Sequence, residues 1–228
     1  MPMIVAVHQP QYLPWLGYFD KISRADIFVL LDNVQFKKNE WQNRNKIKTA
    51  QGSQWVTVPV GYKYPQLINE VTINNTVRWQ HKQRQAILTN YRKATCHESL
   101  EEFFEGIFSK PWQMISELNT HVVRRLVEVL GIDTPLFVAS ELGAFPDNPD
   151  ERLVAITRHF NGNTYLAGSG GRQYMDLEKY SKQGIEVKFQ DYQHPVYDQL
   201  FGKFEPYMSV IDLILNHGDK SLSILKGE

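Results

Sequence analysis

The chain has 228 residues, enough for one domain with an ample core, and its 25 Lys+Arg against 25 Asp+Glu give a net charge of zero. That balance argues against a general polyanion binder. The single cysteine, Cys96, excludes a disulfide scaffold and a cysteine-rich zinc site. No stretch approaches the roughly 20 apolar residues of a membrane span, so a soluble cytoplasmic protein is expected.

Residues 3–8 form an apolar run ending at His8 and read as a buried strand. Trp15 to Ala25 suits a helix, with Leu16, Phe19 and Ile22 on one face. Residues 26–32 form a second apolar run between aspartates. Together they make a βαβ unit and predict a parallel sheet. Residues 37–48 are basic and polar without clean periodicity, and read as a functional loop. Residues 54–60 and 70–73 read as short strands.

The middle reads as helical, over residues 76–94, 99–108 and 112–130, with Gly131 as a stop. Strands are expected at 136–140, 163–167 and 185–189, and helices at 150–160, 172–182 and 209–216. The expected fold is α/β: a Rossmann-like, mostly parallel sheet flanked by helices. Residues 1–228 form one domain in this reading, with 76–132 as a mainly helical lobe.

If the strands are parallel, their carboxyl ends share one edge, where ligands of open α/β sheets bind. Four polar clusters fall at such ends. They are His8 with Gln9; Asp32, Asn33 and Gln35; Ser169, Gly170, Gly171 and Arg172; and Gln190, Asp191, Gln193 and His194. His8 suits proton transfer near neutral pH, although a structural histidine has the same appearance. Asp32 suits holding an amine or hydroxyl, or capping a turn. The Gly168–Arg172 turn lets backbone N–H groups approach an anion beside Arg172, yet lacks both the P-loop and the dinucleotide signature. The 37–48 segment interleaves Trp41 and amides such as Asn43 with Arg44 and Lys48, a surface suited to a phosphate-bearing ligand such as a nucleotide sugar or an RNA end. The seven histidines show no metal-ligand spacing.

These residues carry a resemblance. His8-Gln-Pro-Gln-Tyr-Leu-Pro-Trp-Leu-Gly-Tyr-Phe-Asp-Lys21 resembles the opening of the WbqC-like proteins, placing Gln11, Tyr12 and Trp15 among the candidate ligand-binding residues. Asp32-Asn-Val-Gln-Phe36, Trp41 to Thr49, Tyr165 to Arg172, Asp191 to Tyr197 and Met208 to Leu213 are similar as well. The resemblance implies an accessory enzyme of surface-polysaccharide (O-antigen type) or natural-product biosynthesis. The expected reaction is acyl or aminoacyl transfer, glycyl for example, to the amine of a nucleotide-linked amino sugar. His8, Asp32 and His194 are the candidate catalytic residues. The acyl donor and any cofactor stay open, with a carrier protein or aminoacyl-tRNA among the possible partners.

Two alternatives are kept. The turn Pro14-Trp-Leu-Gly-Tyr18 before a helix looks like that of the HIGH-type nucleotidyltransferases, but Trp15 and Tyr18 stand in place of the histidines that stabilise phosphate charge. The second is a non-catalytic binder of RNA or a carrier protein through the Trp-bearing basic loop.

Overall fold

The computed structural model describes residues 2–228. The chain runs β1 (Ile4–His8), α1 (Leu16–Ser23), β2 (Ile27–Leu30), β3 (Arg44–Thr49), β4 (Gly52–Thr57), β5 (Val60–Gly61) and β6 (Thr72–Ile73). Helices α2 (Trp79–Tyr91), α3 (Glu101–Phe108) and α4 (Ile115–Val129) follow. Then come β7 (Leu136–Val138), α5 (Pro149–His159), β8 (Thr164–Ala167), α6 (Leu177–Ser181), β9 (Glu186–Phe189), α7 (Val210–His217) and α8 (Ser221–Lys226).

The main sheet has five strands in the order β7-β2-β1-β8-β9, and every neighbouring pair is parallel. The fold is thus α/β and Rossmann-like, as the alternating elements imply. Its central strands are buried on both sides, which explains their unbroken apolar runs. Val5, Val7, Val29, Tyr165 and Ala167 pack on one face with Ile156 of α5 and Tyr180 of α6. Ala6, Phe28, Leu30 and Leu166 face the other side, where α1, the central helices and α7 share one apolar cluster. The period-2 alternation of strand side chains creates these two layers.

Segment 37–48 departs from the loop expected there. Arg44–Thr49 is a strand, paired antiparallel with Gly52–Thr57. Its alternation is hidden because inward positions include Asn45 and Thr49 as well as Ile47. The strand expected at 54–60 is interrupted before Val60, and Pro59, which has no N–H to donate, lies in the gap. The helix expected at 172–182 is shorter. A 3-10 turn spans Ser169–Gln173, and α6 begins only after Asp176, whose side chain accepts from the Glu178 N–H. Helix α8 was not foreseen in the sequence.

Helix α1 is buried on all sides, including two charged residues, Asp20 and Lys21. A helix enclosed all round is normally apolar all round, so both charges need an account.

Candidate functional site

From β1 the chain builds outward to β2 and β7, then returns to the other side of β1 for β8 and β9. The strand order therefore reverses between β1 and β8, and a crevice opens there at the carboxyl edge. It holds a cleft of about 460 Å³. His8 and Gln9 come from the end of β1, and Trp15, Gly17, Tyr18 and Lys21 from the start and body of α1. Gly168, Ser169, Gly170 and Gly171 follow β8, and Gln190 follows β9.

Each wall is fixed locally. His8 Nδ1 lies 3.1 Å from the Gln9 carbonyl. A carbonyl only accepts, so Nδ1 carries the proton and Nε2 is left as the free acceptor. The ring packs edge-on against Tyr18 at 4.9 Å, and the Tyr18 hydroxyl donates to the same Gln9 carbonyl. The Gln9 side chain accepts from Gln42 at 2.7 Å. Lys21 reaches back along the strand end and donates from Nζ to the Val7 carbonyl at 2.9 Å. Gln190 donates to Asp20 Oδ2 at 2.6 Å and to the Gly17 carbonyl at 2.8 Å, while Asp20 Oδ1 accepts from Arg24. Asp20 is thus fully engaged and ties α1 to the strand at the sheet's edge.

The glycines divide by role. A Cβ on Gly17 would overlap the Trp15 ring, so glycine lets the indole lie flat on the helix. A Cβ on Gly171 would sit 2.7 Å from Met175 Sδ and 3.3 Å from Phe189 Cε1. Packing demands both. Gly168 and Gly170 have no heavy atom within 4 Å of a built Cβ. Nothing in the protein requires their bareness, and both line the cleft.

Burial, helped by the positive field of Lys21, lowers the His8 pKa from 6.5 to about 3. Burial alone lowers that of Lys21 from 10.5 to about 7. His8 is therefore neutral in the folded protein at all moderate pH values. Between pH 6.5 and 3 the unfolded chain takes up a proton at this residue that the folded chain does not, so stability falls as pH falls. Unfolding by urea should show His8→Asn losing about 3 kcal/mol less than the wild type between pH 7 and pH 4. Equal losses in the two proteins would show that His8 titrates normally.

The other expected site residues are dispersed. Asp32 does not reach His8. It is 3 % exposed and lines a separate cavity of about 440 Å³ with Asn69, Ser116, His121 and Arg124. Its carboxylate accepts from the Ser140 N–H and hydroxyl, at 3.0 and 2.7 Å. The two residues part because Leu31, not Asp32, turns toward the switch-point cleft. His194 is a packing residue. Its Nδ1 contacts the Pro195 carbonyl, its Nε2 accepts from the Tyr207 N–H, and its ring stacks among Trp15, Tyr197, Phe204 and Tyr207. Both ring nitrogens are thus engaged within the protein.

Tyr12 is fully buried and donates to Gln83. Asn43 is buried between the Val58 carbonyl and the Asn39 N–H. Lys48, expected on phosphate, is 1 % exposed and donates to the Lys203 carbonyl at 2.6 Å. Arg44 covers Trp55 at 4.1 Å, Lys46 lies over the same ring at 5.0 Å, and Trp41 packs against it at 5.6 Å, away from the switch-point cleft. Gln11 is buried away from the cleft with Oε1 unpartnered. Asn33 is half-buried with Oδ1 unpartnered, and Gln35 is exposed in a bridge to Leu67. Arg172 is exposed over the Phe189 ring, and Asp191 is exposed and accepts from Gln193. Of the expected residues, His8, Gln9, Trp15, Ser169, Gly170, Gly171 and Gln190 are brought together.

Lys21 was missed. Its signal was a lysine within a short, otherwise core-facing helix, a place where an ammonium is rarely left without a task.

Among the described residues, no group of three or more His, Cys, Asp or Glu side chains is gathered to hold a metal ion, and no helix is long and apolar enough to cross a membrane. No solved structure matches the chain. The chain is 34 % identical over 226 residues to an uncharacterized protein of Mycobacterium tuberculosis, covering 97 % of each chain. Residues 9–224 match the WbqC-like protein family, a span that takes in the switch-point turn, α1, the Gly168–Arg172 segment and α7. On that match the chain belongs to the WbqC-like protein family.

Proposed function

We propose that the protein is a transferase that acylates, or aminoacylates, the amine of a nucleotide-linked amino sugar bound in the switch-point cleft. The observation that supports this most is His8, a neutral imidazole with Nε2 free, held at the sheet's carboxyl edge in a cleft also lined by two glycines with open space at the Cβ position. Amide formation needs a proton acceptor at the nitrogen. The amine nitrogen bonds to the acyl carbon, the donor's leaving group departs, and the nitrogen's proton passes to His8 Nε2. The nitrogen becomes more acidic as the new bond forms, which eases transfer of its proton to a weakly basic imidazole. Gln9 and Ser169 offer hydrogen bonds, and the Trp15 ring gives an apolar wall for a sugar or base.

Nucleotidyl transfer of the HIGH type is disfavoured. The positions that would carry the two histidines hold Trp15, packed against Tyr192 and Tyr207, and Tyr18, buried against Phe19 and Phe28. Neither can supply an imidazolium to a phosphate.

A thermal-shift screen across nucleotide sugars tests the site, since a ligand bound only by the folded state raises stability with its concentration. The Gly170→Leu protein should unfold at the wild-type temperature without ligand, because its side chain enters empty space. It should lose the ligand-induced shift, because that space is the ligand's. A shift retained in Gly170→Leu would place the ligand elsewhere.

A further inference from the structure

Lys21 is 3 % exposed and lines the cleft, but among the described residues no carboxylate lies within ion-pair distance of it. The neighbouring acid on its helix, Asp20, is committed to Arg24 and Gln190. The ionisable groups lining the cleft besides Lys21 are His8 of β1, Tyr18 of α1, Tyr165 of β8 and Tyr174 beyond the glycine turn. None is an acid. The cleft therefore contains one amine that can carry a positive charge and no carboxylate. An isolated buried ammonium costs several kcal/mol unless something compensates it. The Val7 carbonyl takes one of its three N–H donors, which leaves the others and the charge unanswered.

We infer that the missing counter-ion is the ligand, and that Lys21 is the anion receptor of the switch-point cleft, taking a phosphate group of the bound molecule. This deepens the reading above and rests on the same cleft. Phosphate fits better than an organic carboxylate on two counts. A lysine ammonium is a compact charge well suited to a tetrahedral anion. The open space at Gly168 and Gly170, on either side of Ser169 in the chain, leaves room for a group bulkier than a planar carboxylate. The assignment moves phosphate recognition from Arg44, Lys48 and Arg172, which stack or are buried elsewhere, to the floor of the cleft. The lowered pKa of Lys21 accords with an ammonium awaiting its partner, since a bound anion favours the charged form.

The test compares wild type, Lys21→Met and Lys82→Met, the last removing an exposed lysine of α2. The probe is inorganic pyrophosphate in magnesium-free buffer, read by thermal shift and by titration calorimetry. Pyrophosphate should raise the unfolding temperature of wild type and Lys82→Met. Lys21→Met should unfold at or above the wild-type temperature without pyrophosphate, because a thioether stem replaces an uncompensated charge. Its affinity for pyrophosphate should be at least about tenfold weaker, one charge-assisted contact being worth this much. If Lys21→Met does not fold, Lys21→Gln carries the same comparison. Unchanged pyrophosphate affinity in the folded Lys21 variant, or no binding by wild type, overturns the inference. Lys21-dependent pyrophosphate binding in a protein that transfers no acyl group keeps the receptor and removes the transfer reading. Transfer that persists alongside unchanged anion affinity in Lys21→Met does the reverse.

Discussion

Replacing His8 by alanine should lower the turnover of amine acylation by about 10²–10⁴-fold, the usual contribution of one positioned proton acceptor. Affinity for the nucleotide-linked sugar should change little, because in the proposed complex the phosphate is held by Lys21. The geometry explains the split. Nδ1 is tied to the Gln9 carbonyl, so the ring cannot turn Nε2 away from the cleft without losing that bond. The edge contact with Tyr18 restrains it further. His8→Gln keeps a hydrogen-bond acceptor but not a base, and should resemble alanine in turnover. Single-turnover rates with saturating sugar separate the chemical step from binding. A rate within a factor of about two of wild type in both variants, a difference below 0.5 kcal/mol, would sink the assignment.

Replacing Asp212 by alanine should cost about 3–5 kcal/mol of folding stability, the range for removing one member of a buried charged network. Asp212 has no exposed surface. Its carboxylate accepts from the Tyr91 hydroxyl at 2.7 Å, the Tyr197 hydroxyl at 2.9 Å and Gln199 Nε2 at 2.8 Å. The Tyr91 oxygen in turn accepts from the Lys48 N–H. One carboxylate thus joins α2, β3, α7 and the segment after β9. Burial raises its pKa, and the three donated hydrogen bonds and the Lys48 charge oppose that rise. Alanine leaves the buried Tyr91 and Tyr197 hydroxyls without an acceptor, each costing about 1–3 kcal/mol, while Gln199 Nε2 keeps the Glu205 carbonyl. Tyr197→Phe removes a single donor and should cost about 1 kcal/mol. Urea unfolding checks both, and a loss below about 1 kcal/mol for Asp212→Ala would show that the network is not cooperative.

The sheet was legible in the sequence because its strands are enclosed on both faces, and enclosure writes itself as unbroken apolar runs such as Ile27–Leu30. The carboxyl edge was legible too, since parallel strands must end together, and that reasoning places His8 and the 168–171 turn at one cleft, where the structure has them. Two things were not. The strand Arg44–Thr49 carries Asn45 and Thr49 inward, so its alternation is polar on both sides and reads as a loop. The charged and hydrogen-bonding residues of the recognisable motifs also looked alike as text. Lys48, His194 and Asp212 serve the scaffold, while Lys21 serves the cleft. Only burial and the direction of each side chain distinguish a lysine bonded to the Lys203 carbonyl from one bonded at a ligand cleft. Those are tertiary properties, absent from local pattern.

The end of β2 separates two compartments. Leu31 faces the switch-point cleft, and Asp32, the next residue, faces the cavity bounded by Ser116, Arg124 and Ser140. Neighbouring residues of an extended chain point to opposite sides, so this partition depends on whether a residue's place along the strand is odd or even. Removing one residue between Ile27 and Leu31 would bring Asp32 into the place of Leu31, setting a carboxylate in the cleft of Lys21, and Asn33 into the place of Asp32 in the polar cavity. The cation would then be neutralised from within, and the cleft would no longer call for an anion. What the two compartments accept is therefore governed by parity in a four-residue strand as much as by the chemistry of the side chains that line them.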